Sequence, residues 1–316
     1  MRRSFTLLLS MLALAGAARA RQEATSERPI RVAGTRVSLV PPPDFVPSER
    51  FTGFAREGDG ASIVVLEMPV PAAEATPALA DSAALSKRGM VLLGKEQAVS
   101  DGGHDGLLFH YRQAAAGLQY RKWMFVAGDA KRVLMVTASF PEEAGEALSA
   151  ALKRSVLSTR WHRGEGVAAA EGLSYSISEG GPLKLASRVS NNLLFTPGGT
   201  VPVKSVEEPY FVAGPSTFPV EIRDRKAFSA SRLLRIDGVT DIGAAEPKVI
   251  TVDGLEGYEI VTAGKDVKSG EPVTVYQVTL FEGSMYYLMQ GIVGARNALA
   301  HVETFKRMAR SFRRVQ

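Results

Sequence analysis

The sequence predicts an α+β protein built as two tandem domains, each an antiparallel β-sheet with helices packed on it. Three observations carry this reading. The stretch Asp253-Gly254-Leu255-Glu256-Gly257 precedes an apolar run, two further strand-like runs and a closing helix, and a looser version, Asp101-Gly102-Gly103-His104-Asp105-Gly106, opens the same series in the first half. In both places a short run rich in Val and Ser or Thr leads into the glycines. In both places the closing helix carries Lys-Arg toward its end, as Lys153-Arg154 and Lys306-Arg307.

The chain starts with Arg2 and Arg3, an apolar run from Phe5 to Ala18, and Ala18-Arg19-Ala20, a small-x-small cleavage pattern. Residues 1–20 therefore read as a secretory signal peptide. The apolar run is shorter than the roughly 20 residues a membrane-spanning helix needs. Arg2-Arg3-Ser4-Phe5 also partly fits a twin-arginine signal. Residues 21–31 mix Gln, Glu, Thr, Ser, Arg and Pro without a period and are expected to be a mobile leader.

The first domain is expected over residues 32–161. Arg36–Val40 alternates as a strand and stops at Pro41-Pro42-Pro43-Asp44-Phe45, and Ala61–Met68 is a second strand that stops at Pro69. The Ala- and Leu-rich segment Thr76–Val91 predicts a helix that crosses the sheet. Three strand-like runs follow, Leu107–Gln113, Leu118–Ala127 and Arg132–Ser139, joined by loops short enough only for antiparallel hairpins. Pro141-Glu142-Glu143 then opens a helix, with Pro early and acids where the helix dipole favours them. Its apolar side is Ala144, Ala147, Leu148, Ala151, Leu152 and Val156.

Residues 162–171 contain Gly164 and Gly166, lack an apolar period and read as a linker. The second domain, 172–316, is expected to run through Leu173–Ile177, Leu183–Phe195, Pro209–Gly214 and a crossing helix over Asp224–Ile236. The meander Gly257–Thr262, Val273–Phe281 and Met285–Val293 follows, and then a helix over Ala295–Phe312 with Leu299, Val302, Phe305, Met308, Ala309 and Phe312 on one face.

Composition narrows the function. The chain has no Cys, which argues against a lipid-anchored cysteine and a disulfide scaffold. The formal net charge of +5 includes Arg2, Arg3 and Arg19; without them 35 basic residues face 33 acidic ones, and no strong pull toward an acidic partner remains.

Few residues suggest chemistry. The four histidines are His104, His110, His162 and His301, and no two have the helical i, i+4 spacing of a zinc site. His104 and His110, with Asp101 or Asp105, make the one grouping worth weighing as a metal-dependent or hydrolytic centre. No Gly-x-Ser-x-Gly elbow is present, and Ser178 and Ser284 lie in turns. Asp253-Gly254-x-x-Gly257 and the Gly264-Lys265 and Gly270 segment lead into strands, so they offer an anion no helix N-terminus; the Asp-Gly pair suits a chain reversal. Lys306, Arg307, Arg310, Arg313 and Arg314 form a basic cluster at a helix end that favours cations anyway. Tyr120, Trp123 and Phe125, and Tyr286-Tyr287 in the second half, are strand aromatics of the kind that usually build core.

The order strand, Pro-stop, strand, helix, Asp-Gly-x-x-Gly turn, three-stranded meander, helix resembles the PsbP-like fold. That group includes the extrinsic photosystem subunit P and the DcrB-like bacterial envelope proteins. The resemblance rests on Val37–Leu39 before Pro41-Pro42-Pro43-Asp44-Phe45, on Ile63–Met68 before Pro69, and on Asp253–Gly257 before the meander and Ala295–Phe312. It covers about 32–161 once and 172–314 again, and departs at Leu183–Val206, which is longer and more polar than its counterpart. It implies a mostly non-catalytic role, and because fold does not give function no catalytic, cofactor-binding or metal residue carries over and no cofactor is expected. The expectation is an exported, non-enzymatic binding or accessory protein of the cell envelope, periplasmic after cleavage near Ala20. It would meet a protein or small-molecule partner, no nucleic acid, and keep no membrane anchor. The alternative is a periplasmic enzyme using His104, His110 and nearby carboxylates.

Overall fold

A computed structural model describes residues 28–115, 117–217 and 219–315. The expected signal peptide, 1–20, and the leader up to residue 27 lie outside the described residues. The fold is a mostly-sheet α+β arrangement in which all sheets are antiparallel.

Seven strands form one sheet. They are β1 (Phe45–Pro47), β2 (Gly53–Arg56), β3 (Ser62–Met68), β4 (Met90–Val99), β5 (Asp105–Ala115), β6 (Leu118–Gly128) and β7 (Val133–Pro141). Their order in space is β1-β2-β3-β7-β6-β5-β4. Helix α1 (Gly145–Leu157) covers one face: its Leu152 and Val156 pack with Ile63, Val65, Phe125, Val136 and Phe140. These residues alternate along their strands, so the period of two in the sequence selects the buried face.

A second sheet contains β8 (Leu183–Val189), β9 (Asn192–Pro197), β10 (Tyr210–Pro215), β11 (Lys248–Val252), β12 (Leu255–Asp266), β13 (Pro272–Glu282) and β14 (Met285–Gly294). It runs β8-β9-β10-β14-β13-β12, with β11 and the short strand Val239–Thr240 both on β12. Helix α3 (Ala298–Arg310) packs Phe305, Met308 and Ala309 against Phe211, Tyr276, Val278 and Met289, and Phe312 just beyond the helix joins them. Helix α2 (Arg225–Leu233) lies on the opposite face, its N-terminus capped by Asp224 accepting from the Ala227 amide at 2.9 Å. After each closing helix the chain pairs with a strand that precedes its sheet: Arg160–Trp161 with Val37–Leu39, and Arg313–Arg314 with Tyr175–Ser176.

The glycine motifs are turns. Asp253 and Gly254 have φ of 51° and 74° and join β11 to β12 as a two-residue loop with Val252 opposite Leu255, the geometry of a type I′ hairpin. In the first half Ser100–His104 is a longer loop, in which the Asp101 and Gly102 amides donate to the Leu157 and Thr159 carbonyls beside α1. Gly106 and Gly257 meet one constraint: a Cβ would lie 2.4 Å from the Val126 carbonyl oxygen in the first case and 2.1 Å from that of Thr279 in the second.

Several expectations are corrected. Thr76–Val91 is not one helix. Short helical turns at Ala72–Ala75, Pro77–Leu79 and Ser82–Ser86 replace it, and Met90 and Val91 already belong to β4. Pro77 and Gly89, the latter at φ 65°, interrupt any longer helix. Ile30–Arg31, at the end of the expected leader, pairs with Val37–Leu39. Leu183–Phe195 is two strands divided at Ser190-Asn191, because Ser190 holds φ at 53°. Leu299 does not face the core and is 90% exposed, since it sits in the first turn of α3 on the side away from the sheet.

Candidate functional site

A cleft of about 390 Å³ lies where the two sheets meet. The first half supplies Arg36, Thr52, Glu67 and Arg132, the connecting segment Val167 and Ala169, and the second half Ser187, Arg188 and Ser190. Each position follows from local structure. Glu67 is near the end of β3, Thr52 immediately precedes β2, Arg188 is next to the last residue of β8, and Ser190 lies in the turn from β8 to β9.

The Glu67 carboxylate is held from three sides. It accepts from the Arg36 amide at 2.9 Å and from Trp161 Nε1 at 2.6 Å, and Arg36 Nη1 lies 3.7 Å away. Arg188 is fixed by neutral acceptors. Its Nε donates to the Ser190 carbonyl at 2.7 Å, Nη1 to the carbonyls of Ala169 and Glu171, and Nη2 to Asn191 Oδ1 at 2.8 Å. The guanidinium lies against Gly34, where a Cβ would be 2.4 Å from Arg188 Cζ. Burial pushes the Arg188 pKa down, and Tyr175 and Glu171 oppose that shift. With Arg132 also on the wall, three guanidinium groups face one carboxylate. The cleft can therefore bind acceptor groups such as carboxylates and carbonyls.

The halves also touch directly. The Thr52 amide donates to Ser190 Oγ at 3.2 Å, and Asn191 Nδ2 donates to the Glu49 carbonyl at 3.1 Å. A serine in the left-handed region carries some strain, and here it puts Oγ on the backbone of the first half at Thr52.

His104 and His110 are engaged separately. His104 Nε2 accepts from the Trp161 amide at 3.0 Å. His110 stacks on Trp123 with ring centroids 4.0 Å apart, and its Nε2 lies 3.2 Å from Arg121 Nη2, while Arg121 also pairs with Glu146. Burial lowers both imidazole pKa values, with Arg163 adding to the effect at His104 and Arg121 at His110. Among the described residues no group of three or more His, Asp or Glu is placed to hold a metal ion. The fold does not bring the two histidines and Asp101 or Asp105 together as a metal-ligand cluster.

The basic cluster is largely neutralised. Lys306 pairs with Glu303 at 2.7 Å, Arg310 with Glu259 at 3.5 Å, and Arg314 with Asp253 at 3.1 Å and Glu282 at 2.7 Å; Arg307 donates to Thr304 and Arg313 to backbone carbonyls. Phe125, Tyr286 and Tyr287 are buried, and Trp123 Nε1 donates to Ser149 Oγ at 3.1 Å on α1. His162 bonds Ser38 Oγ at 3.0 Å, and His301 is drawn below its usual pKa by burial.

The cleft residues Arg36, Thr52, Glu67, Arg132 and Arg188 carry no motif. The one signal in the sequence was the polar run within Leu183–Val206, where Ser187-Arg188-Val189-Ser190-Asn191-Asn192 interrupts an apolar stretch. Among the described residues no helix is long and apolar enough to cross a membrane.

Comparison with protein-family models and with curated proteins gave no match. Among solved structures, LpqN, involved in cell envelope biogenesis of Mycobacterium tuberculosis, is similar over 45% of this chain and 83% of its own, with 14% identity and a TM-score of 0.35. The immunity protein TplEi of the type VI secretion system of Pseudomonas aeruginosa is similar over 90% of this chain and 96% of its own, with 13% identity and a TM-score of 0.33. A chain of the Tle4-Tli4 complex is similar over 89% of this chain and 96% of its own, at 12% identity and a TM-score of 0.32. Likenesses this distant transfer neither an activity nor a binding partner to this chain.

Proposed function

We propose that this chain is an exported, non-enzymatic binding or accessory protein of the cell envelope. It consists of two tandem PsbP-like domains, 32–161 and 172–316, joined by 162–171, and it takes its partner in the cleft between them. The signal-like residues 1–20 support export, and the shared order of the meander, its glycines and its closing helix supports duplication. The observation that carries the binding role is that both halves and the linker build one cleft whose wall has more guanidinium than carboxylate groups. Its partner presents carboxylate or carbonyl acceptors, from a protein segment or a small molecule.

The absence of Cys from the sequence makes a direct test available. A Ser187→Cys variant carrying a thiol-linked photocrosslinker, activated in periplasm of the source organism, is expected to give a discrete adduct. That adduct disappears when Arg132→Glu is added, and Ser178→Cys, at an exposed position, does not form it. Equal labelling from both positions, or no adduct from either, would refute the cleft as the site.

A further inference from the structure

The two sheets differ in one cross-strand row. Directly opposed residues of antiparallel strands share a face. In the first sheet the pairings Val46 with Ala55, Ala55 with Ser62, Ser62 with Ser139, and Ser139 with Lys122 place these five side chains side by side on the face opposite α1. In the second sheet Lys122 corresponds to Val275, since each precedes by the same number of residues the partner of its domain's conserved-geometry glycine, Ala127 opposite Gly106 and Leu280 opposite Gly257. The rest of that row is Ile292 and Tyr210. Val275 and Ile292 are buried in a cluster with Leu233 of α2. One copy thus has an apolar row under a helix where the other has two serines and a lysine.

The polar row is left unsatisfied by the protein. Ser62 is 3% exposed and its Oγ has no hydrogen-bond partner among the described residues. A buried hydroxyl without a partner is destabilising, because it has given up water and gained no replacement bond. Lys122 is half-buried, forms no ion pair among the described residues, and burial pulls its ammonium below the usual lysine range. One end of the row meets a cleft: Val46, Ala55 and Ser62 line a space of about 620 Å³ whose walls include Pro47 and Pro219, and Ser139 and Lys122 continue the row beyond that lining. At its rim Arg50 and Arg56 stand with Glu49 and Glu57, and Arg56 pairs with Asp59, so the rim has no excess of positive charge and Lys122 is the cation of the row without an ion pair among the described residues.

We propose that this row is a binding site for a long-chain carboxylate, with the alkyl chain in the cleft over Val46, Pro47, Ala55 and Pro219 and the carboxylate taken by Ser62, Ser139 and Lys122. A single ammonium flanked by hydroxyl donors suits one negative charge. A phosphate, with up to two charges, calls for further cations or an arginine fork. The site is distinct from the cleft between the sheets and does not depend on its role.

Calorimetric titration of the mature chain with sodium laurate, below the concentration at which it forms micelles, tests the assignment. Laurate is expected to bind with one-to-one stoichiometry. Lys122→Met is expected to weaken binding at least tenfold without lowering Tm, because it replaces an unpaired, partly desolvated charge by an apolar side chain of similar length. Ser62→Ala should weaken it severalfold, and dodecanol, which lacks the charge, should bind at least tenfold more weakly than laurate. Failure of laurate to bind the unaltered chain, equal affinity for Lys122→Met, or tighter binding of dodecyl phosphate than of laurate would overturn the proposal. Should Lys122→Met not fold, the NMR signal of the Lys122 side chain in the unaltered protein decides: it shifts on laurate addition if the site is real and stays fixed if it is not.

Discussion

Arg188 Nη2 donates to Asn191 Oδ1 at 2.8 Å, and the same amide group passes the contact on, its Nδ2 donating to the Glu49 carbonyl at 3.1 Å. Asn191 is 2% exposed, so its own end of both bonds is buried, while Arg188 and Glu49 are more open to water. Asn191→Ala therefore leaves a guanidinium donor and a backbone acceptor unpaired at the boundary between the halves. The expected cost is roughly 2–4 kcal/mol, from unsatisfied buried groups of which one is charged. Urea unfolding measures it, and proteolysis within 162–171 should be faster in the variant. A loss below about 0.5 kcal/mol would show that this chain of contacts does not hold the halves together.

The glycines at 106 and 257 are required for a different reason. A Cβ at either would meet a carbonyl oxygen of the neighbouring strand, 2.4 Å away for Gly106 and 2.1 Å for Gly257, and backbone cannot move aside as a side chain does. Gly106→Ala and Gly257→Ala are each expected to destabilise by about 1–3 kcal/mol, the usual range for overpacking. Gly164→Ala, where nothing lies within 4 Å, should stay within about 0.5 kcal/mol of the parent. Thermal unfolding of the three variants separates the cases.

Helix α3 gives a test of which face its sequence buries. Phe305 is fully buried and stacks on Phe211 with centroids 5.8 Å apart, whereas Leu299 is 90% exposed. Phe305→Ala should cost about 3–5 kcal/mol, and Leu299→Glu less than about 0.5 kcal/mol. Comparable losses in denaturant midpoint would contradict the packing described for the helix.

The contrast between Phe305 and Leu299 shows what the sequence made legible. Long strands and the cores of helices declare themselves, because many residues repeat one period: β6, β7, β13 and β14 lie within a few residues of their expected bounds. Short or exposed strands do not. β1 and β2 have three and four residues and sit among Pro, Gly and charged positions. Most of β4 is exposed, with Lys95, Glu96 and Gln97 in its middle, so its Ala- and Leu-rich approach looked helical. Junction residues were less visible still. Asn191 meets Glu49 across 142 positions, and no local pattern encodes such a pair.

The histidines predict how stability responds to acid. Burial, the first cause in each case, lowers the pKa of His104, His110 and His301 in the folded chain. Below the unfolded value of about 6.5 the unfolded chain binds protons that the folded chain resists, so stability falls as pH drops through that value toward the folded pKa values. The loss is complete once pH is below them. At His104 the Arg163 guanidinium adds to the effect of burial. Urea unfolding at pH 7.5 and 5.5 should show the parent weaker at the lower pH. The difference should shrink in a His104→Asn, His110→Phe double variant, in which the Phe keeps an aromatic ring beside Trp123. A pH dependence unchanged by the double variant would assign the effect to carboxylates and not to these imidazoles.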